Sequence, residues 1–384
     1  MSQLLKRFFY TLPLVFIGCL TSMQGHAAEL NDASTIDAGG GHTCALTKAG
    51  GVKCWGNNAY GQLGDNSTKT RLTPVDVTSL PSGVSAIAAG GGHTCAITAA
   101  GGVKCWGQND RGQLGDNSAT VRWTPVDVMG LASGVSAIDA GYEHTCALTE
   151  AGAVKCWGGY KQFPVDVMGL TSGVSAIATG THHSCALTTA GGVKCWGEND
   201  HGELGDTTTN RKGAPVDVTG LASGVVAIAA GDFHTCALTK AGGVKCWGYN
   251  FSGQLGNNST KTRLTPVDVT GLASGVSAIA AGGSNTCALT TAGAVKCWGK
   301  TWDGTDDGNL DSRTRGEPDD VTGLANGVSA ITVGSSYFCA LKTSGEVKCL
   351  GDNQSGQLGN NSTTSTRYVR GGTLLNWFKR FGLQ

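Results

Sequence analysis

Fourteen of the fifteen cysteines fall into seven pairs of identical spacing: Cys44/Cys54, Cys95/Cys105, Cys146/Cys156, Cys185/Cys195, Cys236/Cys246, Cys287/Cys297 and Cys339/Cys349. Successive pairs begin 51, 51, 39, 51, 51 and 52 residues apart. A fixed period in this range restricts the chain to a solenoid, a propeller or an array. Within one unit the apolar residues form short strand-like runs between glycines, such as "VSAIAAG", "HTCALT", "GVKCWG" and "TPVDV". We call these strands A to D. Pro74, Pro125, Pro164, Pro215, Pro266 and Pro318 open strand D. Proline cannot donate to a ladder, so D is expected at the outer edge. The expected fold is all-β: a closed seven-bladed β-propeller of four-stranded antiparallel blades. Closure removes sheet edges that an open stack would expose.

The cysteines follow from the hairpin between B and C. With Lys48-Ala49-Gly50 as a three-residue loop, Leu46 faces Val52 and Cys44 faces Cys54. Such a loop closes with a left-handed residue, and glycine stands there in all seven copies. The pair then sits at a non-hydrogen-bonded position, where Cα atoms approach to about 4.5 Å, within reach of a disulfide. Seven cross-strand disulfides are expected, each stabilising by about 3 kcal/mol before strain. Metal is the chemical alternative, because His42, His93, His144, His183 and His234 each stand two residues before a cysteine. Asn285 and Tyr337 break that series, and the spacing matches no zinc pattern, so no metal or other cofactor is expected. Trp55, Trp106, Trp157, Trp196, Trp247 and Trp298 are expected between blades, with Leu350 in the seventh.

Lys6 and Arg7, an apolar run to Leu20 and the small-residue site Gly25-His26-Ala27 read as a signal peptide over residues 1–27. Cys19 after Phe16-Ile17-Gly18 offers lipidation as an alternative, although leucine is usual where Phe16 stands. The propeller is then expected over residues 28–373. An even cysteine count behind an export signal indicates disulfides in a periplasmic, outer-surface or extracellular setting. Loss of Lys6 and Arg7 takes the chain from net zero to −2, a poor charge for wrapping nucleic acid. The chain is expected to be a monomer.

The stretch "AGGGHTCALTKAGGVKCWGNNAYGQLGDN" resembles the repeat of the regulator of chromosome condensation family. The matching elements are Ala-Gly before His-Thr, then Ala-Leu-Thr, Gly-x-Val, Trp-Gly and Gly-Gln-Leu-Gly, and the likeness runs over about residues 33–370. The resemblance implies a seven-bladed propeller and two kinds of activity. Some exported propellers of the family bind and inhibit enzymes; the best-known activity is guanine nucleotide exchange on a small GTPase. The paired cysteines are not part of the family pattern.

The copies differ in two places. One is the pair before the His position, which includes Tyr142-Glu143, Thr181-His182 and Asp232-Phe233. The other is the start of the C–D loop, which includes Ala59-Tyr60, Asp110-Arg111, Asp200-His201, Phe251-Ser252 and Trp302-Asp303. In an up-and-down blade the A–B and C–D loops leave on one face, and the repetitive B–C and D–A turns on the other. Tyr60, Arg111, Tyr142, Glu143, His182, His201, Asp232, Phe233, Phe251 and Trp302 are the candidate binding residues, since loops on a rigid scaffold carry recognition and aromatics and arginine anchor interfaces. Drift of unconstrained loops is the alternative.

The third copy loses twelve residues, running "CWGGYKQFPVDV" into strand D, and is expected to notch the rim. The sixth reads "KTWDGTDDGNLDSRTRGEP"; its acidic start echoes a calcium loop, but Thr314 stands at the twelfth position, so it reads as a solvated acidic loop. The tail 374–384, "LLNWFKRFGLQ", has helical apolar spacing with Lys379 and Arg380, suited to packing on the propeller or to weak membrane contact. No nucleophile–base constellation emerges, so the chain is not expected to be an enzyme. The reading is an exported binding scaffold for a protein or cell-surface ligand, with exchange-factor-like regulation or a structural envelope role as alternatives. Native protein is expected to take up no thiol alkylator until reduced and then fourteen equivalents, counted by intact mass.

Overall fold

The computed structural model describes residues 30–300 and 314–366. The leader, the acidic start of the sixth C–D loop with Trp302, and the tail lie outside them. The first blade contains strands Ala33–Ala38, His42–Thr47, Val52–Gly56 and Arg71–Asp76, paired antiparallel in chain order. Five more blades repeat this order, and the seventh has Val328–Val333, Tyr337–Lys342 and Val347–Gly351 with a bridge from Gly351 to Thr366 at the fourth position. Strand D is the outer strand in every four-stranded blade, as its proline requires.

The hairpin register is as the cysteine spacing predicts. Leu46 faces Val52 and Cys44 faces Cys54, while Thr47 N donates to Gly51 O at 2.8 Å. Gly50 has φ +79°, the left-handed value the loop demands. Seven disulfides are formed: Cys44–Cys54, Cys95–Cys105, Cys146–Cys156, Cys185–Cys195, Cys236–Cys246, Cys287–Cys297 and Cys339–Cys349. Their Cα–Cα distances are 4.0–4.1 Å, shorter than the roughly 4.5 Å of an average pair. Antiparallel pairing sets the cysteines opposite each other before any bond forms.

The seven bonds are not equally covered. Cys195 is fully buried, with Val216 of strand D opposite it on the ladder and Leu204 and Trp247 in the same cluster. Cys349 is only half-buried, although its partner Cys339 is closed off. Among the described residues the seventh blade has the Gly351–Thr366 bridge outside strand C and no ladder residue opposite Cys349. Without a strand D residue opposite it, Cys349 lacks the cover that Val216 gives Cys195.

The core is divided between the blade interfaces. Cys44, Cys54 and Leu63 of the first blade pack with Trp106 of the second. The same set recurs as Cys95, Cys105, Leu114 and Trp157, and as Cys236, Cys246, Leu255 and Trp298. The C–D loop makes this possible. Buried Asn58 folds it: Oδ1 accepts Leu63 N at 2.9 Å, and Nδ2 donates to Ser67 O and Lys69 O at 3.1 and 3.0 Å. The loop so held sends Gln62 O to the next blade, where it accepts from Trp106 Nε1 at 2.9 Å and Thr94 Oγ1 at 2.8 Å. Thr94 Oγ1 in turn meets His42 Nε2 at 2.8 Å. The histidines of the first five blades are therefore blade-to-blade hydrogen-bonding groups.

No strand is exchanged to close the ring among the described residues. The seventh blade meets the first through Trp55 Nε1 to Gln357 O at 2.9 Å, Thr43 Oγ1 to Tyr337 Oη at 2.9 Å, and Val347 N to Leu30 O at 3.3 Å. Tyr337, which replaces the histidine, spans the seam with its longer side chain.

Trp106→Phe removes the indole donor but leaves Gln62 O its threonine. We expect a loss of about 1–2 kcal/mol by denaturant titration, against about 3–5 kcal/mol for Trp106→Ala, which also opens a cavity.

Candidate binding face and central channel

Strand A of each blade lines a central channel of about 400 Å³. Its wall is mostly alanine, isoleucine and glycine, because the inner strands converge and only small side chains fit. Two carboxylates break this pattern. Asp37 and Asp139 occupy the strand position that is Ala88, Ala178, Ala229, Ala280 and Thr332 elsewhere, and both line the channel. Each bridges blades. Asp37 accepts from Ala89 N at 2.7 Å and from Thr332 Oγ1 at 2.9 Å. Asp139 accepts from Thr179 N at 2.7 Å and Thr179 Oγ1 at 3.0 Å. Burial, with the Asp37 charge nearby, pushes Asp139 up to about 7, and burial raises Asp37 as well. Comparing loops does not reveal the aspartates; their signal is a carboxylate where sister strands carry alanine or threonine.

The channel opens among the A–B loops. Tyr142 and Asp232 stand at its mouth. Tyr142 is 49% exposed and lies over Gly91, where a Cβ would stand 2.6 Å from its ring. Asp232 is raised by burial and bonded by the Thr181 side chain, with His182 close enough to oppose the shift.

The remaining candidates form two groups. Around the fourth and fifth blades, His201 meets Phe233 edge-on at 5.7 Å between ring centroids, and Tyr249 at 4.7 Å. Phe251 stacks beside Tyr249 at 6.4 Å and is 62% exposed. Around the second and third blades, Arg111 lies over the Tyr160 ring at 4.4 Å and 3.6 Å from Glu143. Tyr60 is exposed but belongs to neither group. Loop comparison misses Tyr249 and Tyr160, because one precedes the compared positions and the other lies in the blade that lacks the loop. Among the described residues no group of three His, Cys, Asp or Glu side chains has metal-holding geometry.

The molecule is thus a disulfide-stapled seven-bladed propeller with one variable loop face around an acid-lined channel. The Regulator of chromosome condensation (RCC1) repeat matches residues 49–97, 100–148, 190–238 and 241–289. A second form of the repeat matches 33–62, 84–113, 174–203, 225–254 and 328–357. The chain belongs to the regulator of chromosome condensation repeat family. It is 31% identical over 285 residues to the RCC1 domain-containing protein RUG3, mitochondrial, of Arabidopsis thaliana, covering 72% of this chain and 55% of that one. It is 27% identical over 285 residues to the Ultraviolet-B receptor UVR8 of the same plant, covering 73% and 55%. The chain thus spans about half the length of these relatives. Prp20p of Saccharomyces cerevisiae superposes with TM-score 0.74 at 23% identity, over 85% of this chain and 86% of that one. Human WBSCR16 does so with TM-score 0.72 at 24% identity, over 84% and 93%. At these identities the two structures bear on the fold alone.

The channel and the histidine belt make stability depend on pH in opposite senses. Burial holds His42 and His144 at about 4, and His93, His183 and His234 at about 3, below the ordinary 6.5. Unfolding lets them take protons, so their contribution is present above pH 6.5 and is lost on acidification toward 4. Asp37 and Asp139 are raised, so their contribution is present at acid pH and is lost as pH rises toward 7. Five histidines outweigh two carboxylates, and the melting temperature is expected to fall from pH 7 to pH 4. Asp139→Asn is expected to raise it strongly at pH 8 and less at pH 5, where the folded carboxyl is protonated but the unfolded one is already ionised, by thermal melts at the two values.

Proposed function

We propose that this chain is an exported, non-catalytic binding scaffold that captures a protein or cell-surface ligand through its A–B and C–D loop face. The observation that carries this reading is the clustering of exposed or half-exposed aromatic and charged side chains of the A–B and C–D loops. His201, Phe233, Tyr249 and Phe251 form one anchor, and Arg111, Glu143 and Tyr160 the other. The opposite face repeats short turns such as Lys48-Ala49-Gly50 and Lys240-Ala241-Gly242. Rigid loops bearing aromatics and arginine supply contact area at small entropic cost. Seven disulfides support export, since such pairs persist in oxidising compartments and are rare in reducing ones. Family members serve as binding and regulatory scaffolds, which agrees with this role. If the partner is an enzyme, seating its active-site rim on the face would inhibit it.

The test is affinity capture from envelope and culture medium with the oxidised chain immobilised. A specific partner should be retained by native protein and by Lys48→Ala and Lys240→Ala on the opposite face. Phe251→Ala and Tyr142→Ala should each lower its retention tenfold or more. Equal retention by all four variants would remove the face from the interaction.

A further inference from the structure

The third blade lacks the loop that completes every neighbouring interface described above. In its place Gly159 and Tyr160, at φ +55° and +79°, make a two-residue hairpin that returns at once to strand D. Both positive angles are those of a tight type I′ turn. The groups that the loop would have met are still present.

In the first and second blades the loop delivers four things. Its leucine, fully buried as Leu63 or Leu114, covers the disulfide of its own blade and the tryptophan of the next. The carbonyl before that leucine accepts from the next blade's tryptophan and threonine. Two residues after the leucine, Asp65 and Asp116 pair with Arg71 and Arg122, the first residues of strand D, at 2.7 and 2.8 Å. The next backbone N–H, of Asn66 or Asn117, donates to the adjacent blade's strand D at Trp123 O or Gln162 O.

Each receptor has its counterpart at the junction of the third and fourth blades. The disulfide Cys146–Cys156 and Trp196 are there, with Cys156 and Trp196 half-buried where their equivalents Cys54, Cys105, Trp106 and Trp157 are closed off. Strand D is in place beside Cys156, with Val165 opposite it, so the missing loop is what leaves it uncovered. Ser184 takes the threonine position, its hydroxyl 2.8 Å from His144 Nε2 and 3.8 Å from the Cys146 sulfur; with His144 as the Nε2–H tautomer it has a proton to give to a stronger acceptor. Lys161 lies opposite Gly158 as Arg71 lies opposite Gly56, and has no ion partner among the described residues. Gly213 occupies the position of Trp123, and a Cβ built on it meets nothing within 4 Å.

We propose that this gap is a peptide-binding site, taking an extended segment of a protein partner that carries leucine and, two residues later, a carboxylate. The sister loops supply the imprint: leucine on the disulfide, the preceding carbonyl on Trp196 Nε1 and Ser184 Oγ, the carboxylate on Lys161. Every polar receptor but one at the gap is a donor or a cation, which selects carbonyl and carboxylate groups. The exception, Gly213 O, takes a backbone N–H. The gap lies between the Arg111–Tyr160 and His201–Phe251 groups, so a partner seated on the face could extend a segment into it. The inference rests on the scaffold reading, but the site can be probed without the face residues or the natural partner.

The probe is the blocked peptide Gly-Gln-Leu-Gly-Asp-Asn-Ser, titrated calorimetrically into the oxidised full chain. Saturable binding at one peptide per chain is expected, weakened at least tenfold when the peptide leucine becomes alanine. Lys161→Glu should weaken the Asp peptide at least tenfold and favour a peptide with lysine in place of the aspartate. Gly213→Phe, placed in open space where the fold tolerates it, should abolish binding of both. Absence of saturation at millimolar peptide would overturn the proposal. So would indifference to the leucine and to the charge exchange. Self-association of the native chain dispersed by Lys161→Glu, read by sedimentation, would assign the gap to a second copy and equally overturn it. Loss of partner capture on the face with peptide binding intact would instead count against the face reading alone.

Discussion

In five of the seven blades one main-chain carbonyl ties the blade to the next among the described residues. Gln62 O and its equivalents leave a loop of one blade and accept from a tryptophan and a threonine of the next. A propeller has no single core, so each blade must be joined to its neighbour by whatever the interface can supply. Here the supply is a leucine, an indole and a shared acceptor, all withdrawn from water. In that setting a directed hydrogen bond fixes registry as well as adding stability, because an unpaired indole N–H or hydroxyl would be costly. The buried asparagine that folds the loop exists to aim this carbonyl.

The histidine belt depends on the same arrangement. With Thr94 Oγ1 committed as donor to Gln62 O, it accepts from His42 Nε2, and the imidazole is held neutral by burial. Where the loop is missing, His144 and its partner Ser184 survive with one connection fewer. Between the sixth and seventh blades Asn285 and Phe338 replace histidine and threonine, and Phe338 and Leu350 pack among Cys287 and Val295. The belt is therefore interrupted at one junction and thinned at another, and Tyr337 restores it at the closing seam. The disulfides make each hairpin independent of these irregularities, since they join neighbours within a blade and cross no interface. Cys146–Cys156 beside the gap and Cys339–Cys349 beside the seam have the same register as the rest.

Much of this was legible in the linear chain. The cysteine spacing, the glycine at the end of each hairpin loop and the proline of strand D are local statements about two strands. A local statement needs only the period of a β-strand and the geometry of a turn. The deletion in the third copy was equally plain, as was the notch it implied. Tyr249 and Tyr160 were not legible as site residues, nor were Asp37 and Asp139 as channel groups. The tyrosines gain their roles from rings on neighbouring loops, the aspartates from strands of other blades that meet at the axis.

The sequence by itself determined seven stapled hairpins, an outer strand and a division between repetitive and variable loops, because these follow from contacts between residues close along the chain. The tertiary structure alone decided which variable residues touch, how two aspartates come to share one channel, and what the missing loop leaves uncovered. Those outcomes rest on ring closure, which brings together side chains from successive blades, forty or fifty residues apart. Asp37 and Thr332 meet only because the first blade and the last are neighbours.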